Sequence, residues 1–156
     1  MLDLARNLRV DSVARLEPTP ALLVDVTDPI SKAVSLMCVQ QVGCVLVCDK
    51  DLLMGIFTER DLLARVLSNG VPLRQAIRTV MTAQPITVLL DDPISKAIRR
   101  MERGGYRHLP VVDANQRPIG ILSVKQIIHY LAEHFPATIY NQPPASGVLP
   151  REREGA

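Results

Sequence analysis

The chain has 156 residues, 47% hydrophobic and 22% charged, with 18 Lys and Arg against 16 Asp and Glu. A net charge of +2 is too mild to imply a nucleic-acid surface, which needs a concentrated basic face, and aromatics at 3% with no Trp require an aliphatic interior. No apolar run approaches the ~18 residues of a membrane span, and the start MLDLARNLRV lacks a secretory hydrophobic region, so a cytoplasmic protein is expected.

In chain order, Leu22–Val26 is a short β-rich run. Asp28, as an N-cap, and Pro29, at the first helical position, then open a helix with Ile30, Ala33, Val34 and Met37 on one face. Val45-Leu46-Val47 reads as a buried strand ending at Asp49, and Leu53–Phe57 as the other arm of a hairpin. A second helix runs from Thr58 to about Leu67. Cys38, Cys44 and Cys48 lie in apolar stretches, are odd in number and have no nearby His. They read as small core hydrophobes in a reducing compartment, not as disulfide or zinc ligands.

Ser68-Asn69-Gly70 ends that helix, and Pro72 opens a short one with Leu73, Ala76, Ile77 and Val80, expected to pack on the second half of the chain or to bridge the two halves. The pattern then repeats. Asp92-Pro93-Ile94-Ser95-Lys96-Ala97 copies residues 28–33 letter for letter at a period of 64, and Met101, Val111 and Asp113 continue it. Strands are expected at Ile86–Leu90, Leu109–Val112 and Pro118–Leu122, with helices from Asp92 and from Ser123 to about Glu133. Two copies of β-α-β-β-α imply an α+β fold: a pseudo-symmetric pair, not an array. The expected divisions are 1–67, 68–135, and a Pro-rich, loosely ordered tail at 136–156.

Thr58-Glu59-Arg60-Asp61 fits two readings. It is a capping box, and it is also a helix N-terminus whose hydroxyl and N–H groups suit a phosphate. Copy two keeps the capping pattern as Ser123…Gln126 but loses the carboxylate. Lys32, Lys96 and Arg99-Arg100-Arg103 read as solvated helix faces, whereas Arg60 fits a phosphate contact or a surface charge equally.

Gly55-Ile56-Phe57-Thr58-Glu59-Arg60-Asp61-Leu62 and Tyr106-Arg107-His108-Leu109-Pro110-Val111-Val112-Asp113 resemble the two signatures of CBS domains, and the resemblance spans roughly residues 12 to 133 in both copies. It implies two CBS repeats about a pseudo-twofold axis, small sheets flanked by helices, and two clefts for adenosine-containing ligands. By that resemblance Asp61 would hold the ribose and Thr58 the phosphate. Pro85, Ile86 and Thr87, with Ile56, would hold adenine. Arg107 and His108 would face the phosphate and favour an anion over the sulfonium of S-adenosylmethionine. The cleft with Ser123, Gln126 and Leu22 would bind more weakly, because an amide replaces the carboxylate.

The resulting expectation is a stand-alone regulatory module and not an enzyme. It binds AMP, ADP or ATP, forms a homodimer through Ile94, Ala97, Ile98, Met101, Ile127, Ile128 and Leu131, and signals to a regulated partner protein. The alternative is a ligand-free interaction module. No Ser-His-acid, Cys-His or paired-carboxylate arrangement suggests catalysis, no metal set is evident, and His129 and His134 have no evident partner.

Overall fold

The computed structural model describes residues 4–140. Each repeat builds one small sheet. In the first, β1 (Leu23–Asp25) runs parallel to β2 (Cys44–Asp49), connected through helix α2 (Ile30–Gln40). Strand β3 (Leu52–Thr58) returns antiparallel to β2, and β4 (Thr82–Ala83) pairs with β3 at the edge. The second sheet repeats the order with β5 (Val88–Leu89), helix α4 (Ile94–Gly104), β6 (His108–Val112) and β7 (Pro118–Ser123). A register shift falls at the same place in both hairpins, between Val47 and Cys48 and between Val111 and Val112. Such bulges re-aim the strand.

Alternation along β2 explains its continuous apolar run. Val45 and Val47 point to the helical side and pack with Val24, Ile30, Ala33, Met37 and Phe57. Cys44 and Leu46 point the other way and meet Ile56 and Ile121 in a cluster joining the two repeats. The copy-two core gathers Val88, Ile94, Ala97, Met101, Leu109, Val111, Leu122 and Ile127.

The segments ahead of each repeat cross over, an arrangement the repeat boundaries do not reveal. A 3-10 turn at Val13–Leu16 buries Val13 and Leu16 in the core of copy two, and Thr19 bridges to Ile121 of β7. Ile77 and Val80, expected on the second repeat or between the two, are instead buried in the core of copy one, and Thr82–Ala83 joins its sheet. The Pro72 helix does not form; only a 3-10 turn at Ile77–Thr79 does, and Leu73 is exposed.

Asp28 and Asp92 do not cap helices. Their carboxylates reach backward, accepting from the N–H of Asp25 and of Leu89 at 2.8 and 2.9 Å, and pair with Lys32 and Lys96 one turn on. Pro29 and Pro93 take the N-cap place, and the first free N–H groups of α2 and α4 donate to Gln75, Leu73 and Asp11 carbonyls of the crossing segments. Lys32 and Lys96 are thus paired rather than simply solvated. Arg100 likewise donates to the Thr87 carbonyl.

The second helix of copy one is a single α turn, α3 (Glu59–Asp61), that widens into a π stretch, Leu62–Leu67. Its wide end is held by Ser68, whose N–H and hydroxyl both bond the Leu63 carbonyl, and by the Asn69 amide on Ala64 and Arg65. Copy two has a regular helix, α5 (Val124–His134). An N-terminal helix, α1 (Leu4–Val10), sends Leu4 and Leu8 onto the core of copy two, and a short α6 (Pro136–Tyr140) follows Phe135 where a loose tail was expected. Residues 141–156 of that tail lie outside the described residues.

The apolar residues assigned to a dimer face are mostly internal: Ile94, Ala97, Met101 and Ile127 are buried, Ile98 and Leu131 pack against them, and only Ile128 is exposed. The apolar stripe of α4 therefore serves its own repeat. Cys38 is exposed on α2, whereas Cys44 and Cys48 are buried; all three are free thiols.

Candidate functional site

A cleft of about 540 Å³ lies between the repeats. Copy one contributes Thr19, Pro20 and Leu22 ahead of β1, the turn Gln41–Cys44, and Glu59. Copy two contributes Arg107, His108, Ile121, Ser123, Val124 and Lys125. Chain direction and the crossing segment at Thr19 bring these groups together. In both repeats the residue that opens the second helix donates its N–H to the carbonyl just before the central strand, Glu59 to Gly43 and Val124 to Arg107, each at 3.1 Å. Helix start and strand start therefore converge on one point in each copy, and the two points face each other.

The charges at that point are unlike in the two copies. Arg107, Lys125 and His108 come from copy two, with Glu59 as the single acidic lining residue among the described residues. Neither Arg107 nor Lys125 makes an ion pair among the described residues. Gly43 has no side chain, and the space is used: a Cβ there would stand 3.2 Å from His108 Cε1 and 3.7 Å from the Glu59 carboxyl carbon. His108 is held below its ordinary pKa, first by burial; Glu59 opposes the shift and Arg107 and Lys125 add to it. Burial, reinforced by Glu59, pushes the Cys44 thiol up to about 12, so it stays protonated.

The residues singled out from sequence divide between two places. Arg107, His108, Ser123 and Leu22 line the cleft together. Thr58, Asp61, Ile56, Pro85, Ile86 and Thr87 are not among its lining residues, and neither is Arg60, which is exposed. Asp61 is 6% exposed and its carboxylate is already engaged. One oxygen accepts from the Thr58 N–H at 2.9 Å and from its hydroxyl at 3.1 Å. The other accepts from Thr82 at 3.2 Å and pairs with Arg65 at 3.4 Å. Thr58 accepts in turn from the Asp61 N–H, which completes the capping box. Ile56 is buried in the inter-repeat cluster, Ile86 is exposed, and Thr87 is tied through its carbonyl to Arg100.

Gln126 lies off the cleft as well. Its carbonyl accepts from the Ser123 N–H at 2.6 Å, and its amide donates to the Glu17 carbonyl at 2.8 Å, locking the crossing segment to α5. Glu59, Lys125 and Thr19 were not anticipated. Glu59 and Lys125 carried a readable signal, since each sits within two residues of a helix start beside Arg107 or its counterpart. Thr19 carried none, because only the crossover places it there. Among the described residues no group of His, Cys, Asp and Glu could hold a metal ion, and no helix is long and apolar enough to cross a membrane.

Comparison with known proteins agrees with this architecture. A family model for the CBS domain matches twice, at residues 13–68 and 77–133. A CBS domain-containing protein of Arabidopsis thaliana, CBSCBSPB1, is 33% identical over 114 residues, 72% of this chain and 21% of that protein. The meiotically up-regulated gene 70 protein of Schizosaccharomyces pombe is 37% identical over 121 residues, 77% of this chain and 16% of that one. The chain thus spans about a fifth of the length of these curated relatives. Among solved structures, a CBS domain protein of Pyrobaculum aerophilum complexed with AMP superposes with a TM-score of 0.70 at 25% identity, covering 78% of this chain and 98% of that chain.

Proposed function

Because the chain belongs to the CBS-domain family and carries the domain twice, we propose that it is a regulatory module, not a catalyst, that binds an adenine nucleotide between its repeats. The observation that carries the reading is the cleft itself. Its 540 Å³ falls in the range of small-molecule sites, and it sets two unpaired cations and a neutral imidazole around an apolar wall. Leu22 and Ile121 offer that wall to a flat base. Arg107, Lys125 and His108 offer charge and hydrogen bonds to a phosphate, near the N-terminus of α5, where the helix dipole also favours an anion. The Pyrobaculum relative complexed with AMP supports the choice of ligand.

This ranks the two clefts in the reverse order from the Asp61-versus-Gln126 comparison. A ribose reaching Asp61 would have to displace Thr82 and Arg65, whereas Arg107 and Lys125 make no ion pair among the described residues. Asp61 with Pro85, Ile86, Thr87 and Ile56 is proposed as the weaker site. Both repeats line the main cleft, so a bound ligand favours one mutual orientation of them, which a partner protein can read. Free, buried Cys44 and Cys48 support action in the reducing cytoplasm. Val39, Leu63, Leu67 and Ile128, exposed on helices, support self-association into a homodimer, which light scattering would deny by returning a monomer mass at micromolar concentration.

The test is thermal denaturation with AMP, ADP, ATP and S-adenosylmethionine. A nucleotide at a hundredfold its Kd stabilises by about 2.7 kcal/mol, roughly 5–10 °C in Tm for a chain of this size. No shift with any adenine nucleotide would leave the interaction-module reading in its place.

A further inference from the structure

The main cleft has a property beyond nucleotide binding, and it rests on that reading of the site. We propose that His108 takes up a proton when a phosphorylated nucleoside binds, the imidazolium being held between the ligand phosphate and the Glu59 carboxylate. His108 then adds a pH-dependent part to the preference, shared with Arg107, for phosphorylated over unphosphorylated nucleosides.

The geometry is unusual in using an absent side chain. The His108 ring and the Glu59 carboxyl carbon both lie within 4 Å of the point where a Cβ on Gly43 would sit. Glu59 and Gly43 belong to copy one and His108 to copy two, so these groups meet across the repeats. His108 and Glu59 are not ion-paired. The charged groups facing His108 are Glu59 at the start of α3, Arg107 just ahead of β6, and Lys125 on α5; Cys44 on β2 remains a neutral thiol.

Without ligand, burial and two neighbouring cations outweigh Glu59 and keep the imidazole neutral near pH 7. A phosphate reverses that balance. It offsets the repulsion from Arg107 and Lys125 and adds its own attraction for a charged ring. It also repels Glu59 across a small cleft, and a proton on His108, between them, removes that conflict. The proton comes from solvent and no covalent bond changes. Phosphate ionisation cannot mimic the effect. Its second pKa is about 6, and contact with cations lowers it, so the ligand itself would release protons.

Calorimetry of the full chain at pH 7, in two buffers of different ionisation heat, reads the proton count directly. AMP is expected to bind with net uptake of a fraction of a proton and adenosine with none. Affinity for AMP should rise roughly threefold to tenfold from pH 8 to pH 6.5. H108Q is expected to lose both the uptake and the pH dependence. NMR titration of wild-type His108 gives a second reading that needs no variant: its midpoint must rise when AMP is bound. Equal uptake in H108Q, or an unmoved midpoint, overturns the inference and leaves nucleotide binding standing. No AMP binding to the wild type overturns the nucleotide reading and this inference with it.

Discussion

Replacing Asp61 by Ala tests whether this carboxylate holds the fold or awaits a ribose. The side chain is 8% exposed and accepts from Thr58 N–H, Thr58 hydroxyl and Thr82 hydroxyl, with Arg65 at 3.4 Å. Arg65 is half exposed and keeps its bond to the Met81 carbonyl, so its ion pair counts for little. The Thr58 N–H and the Thr82 hydroxyl lose an ionised acceptor in a nearly dry place. Hydrogen bonds to charged groups are worth about 1.5–3 kcal/mol each and are not additive, so D61A should cost about 2–4 kcal/mol. For a chain of this size that lowers Tm by roughly 5–15 °C. D61N, which keeps the volume and one acceptor, should lose about half as much. AMP affinity measured below both transitions should change less than about threefold, since Asp61 lies off the main cleft. An unchanged Tm with abolished AMP binding would instead make Asp61 the ribose ligand.

R107A should weaken AMP roughly tenfold and leave adenosine unaffected, because a charge-assisted contact to phosphate is lost and Arg107 is exposed enough to temper the effect; equal weakening in calorimetry would deny the contact. G55A would bring a Cβ within 2.9 Å of the Thr82 carbonyl oxygen, forcing β4 off β3, and is expected to destabilise by about 1–3 kcal/mol in chemical denaturation; wild-type stability would mean that β4 does not pair in solution. Alkylation at pH 8 should label Cys38 alone, since Cys44 is buried with its thiol at about 12 and Cys48 is buried and raised too; two or more labels on the native protein would contradict this. His108 is depressed below 6.5 by folding, so the unfolded chain binds the extra proton. Its stabilising contribution is complete above pH 6.5 and is lost as pH falls through the folded value. H108Q should flatten that part of the Tm–pH curve, and an unchanged slope would count against it.

The repeat was legible because Asp28–Ala33 and Asp92–Ala97 are identical and because period-2 and period-3.6 patterns survive in both copies. Strand ends shifted by only one or two residues. What sequence could not show was the crossing of Val13–Leu16 and Ile77–Ala83 into the opposite repeat's core or sheet. That exchange depends on tertiary geometry, and it moves the site. It sets Thr82 against Asp61 and Glu17 against Gln126, so the two side chains compared for ribose binding both carry structural bonds. Proline directly after Asp28 and Asp92 also misled, because it takes the cap position and turns each aspartate back toward its strand. Arg107 precedes β6 and His108 opens it, but the place of the imidazole also depends on Gly43, where a side chain would crowd it.

The most direct measurement is a crystal structure of the full chain grown with AMP. One strongly occupied nucleotide per chain is expected, its base against Leu22 and Ile121 and its phosphate within hydrogen-bond distance of Arg107 and His108. A nucleotide with its ribose on Asp61 and the Arg107 cleft empty would contradict it, as would a chain with no nucleotide bound.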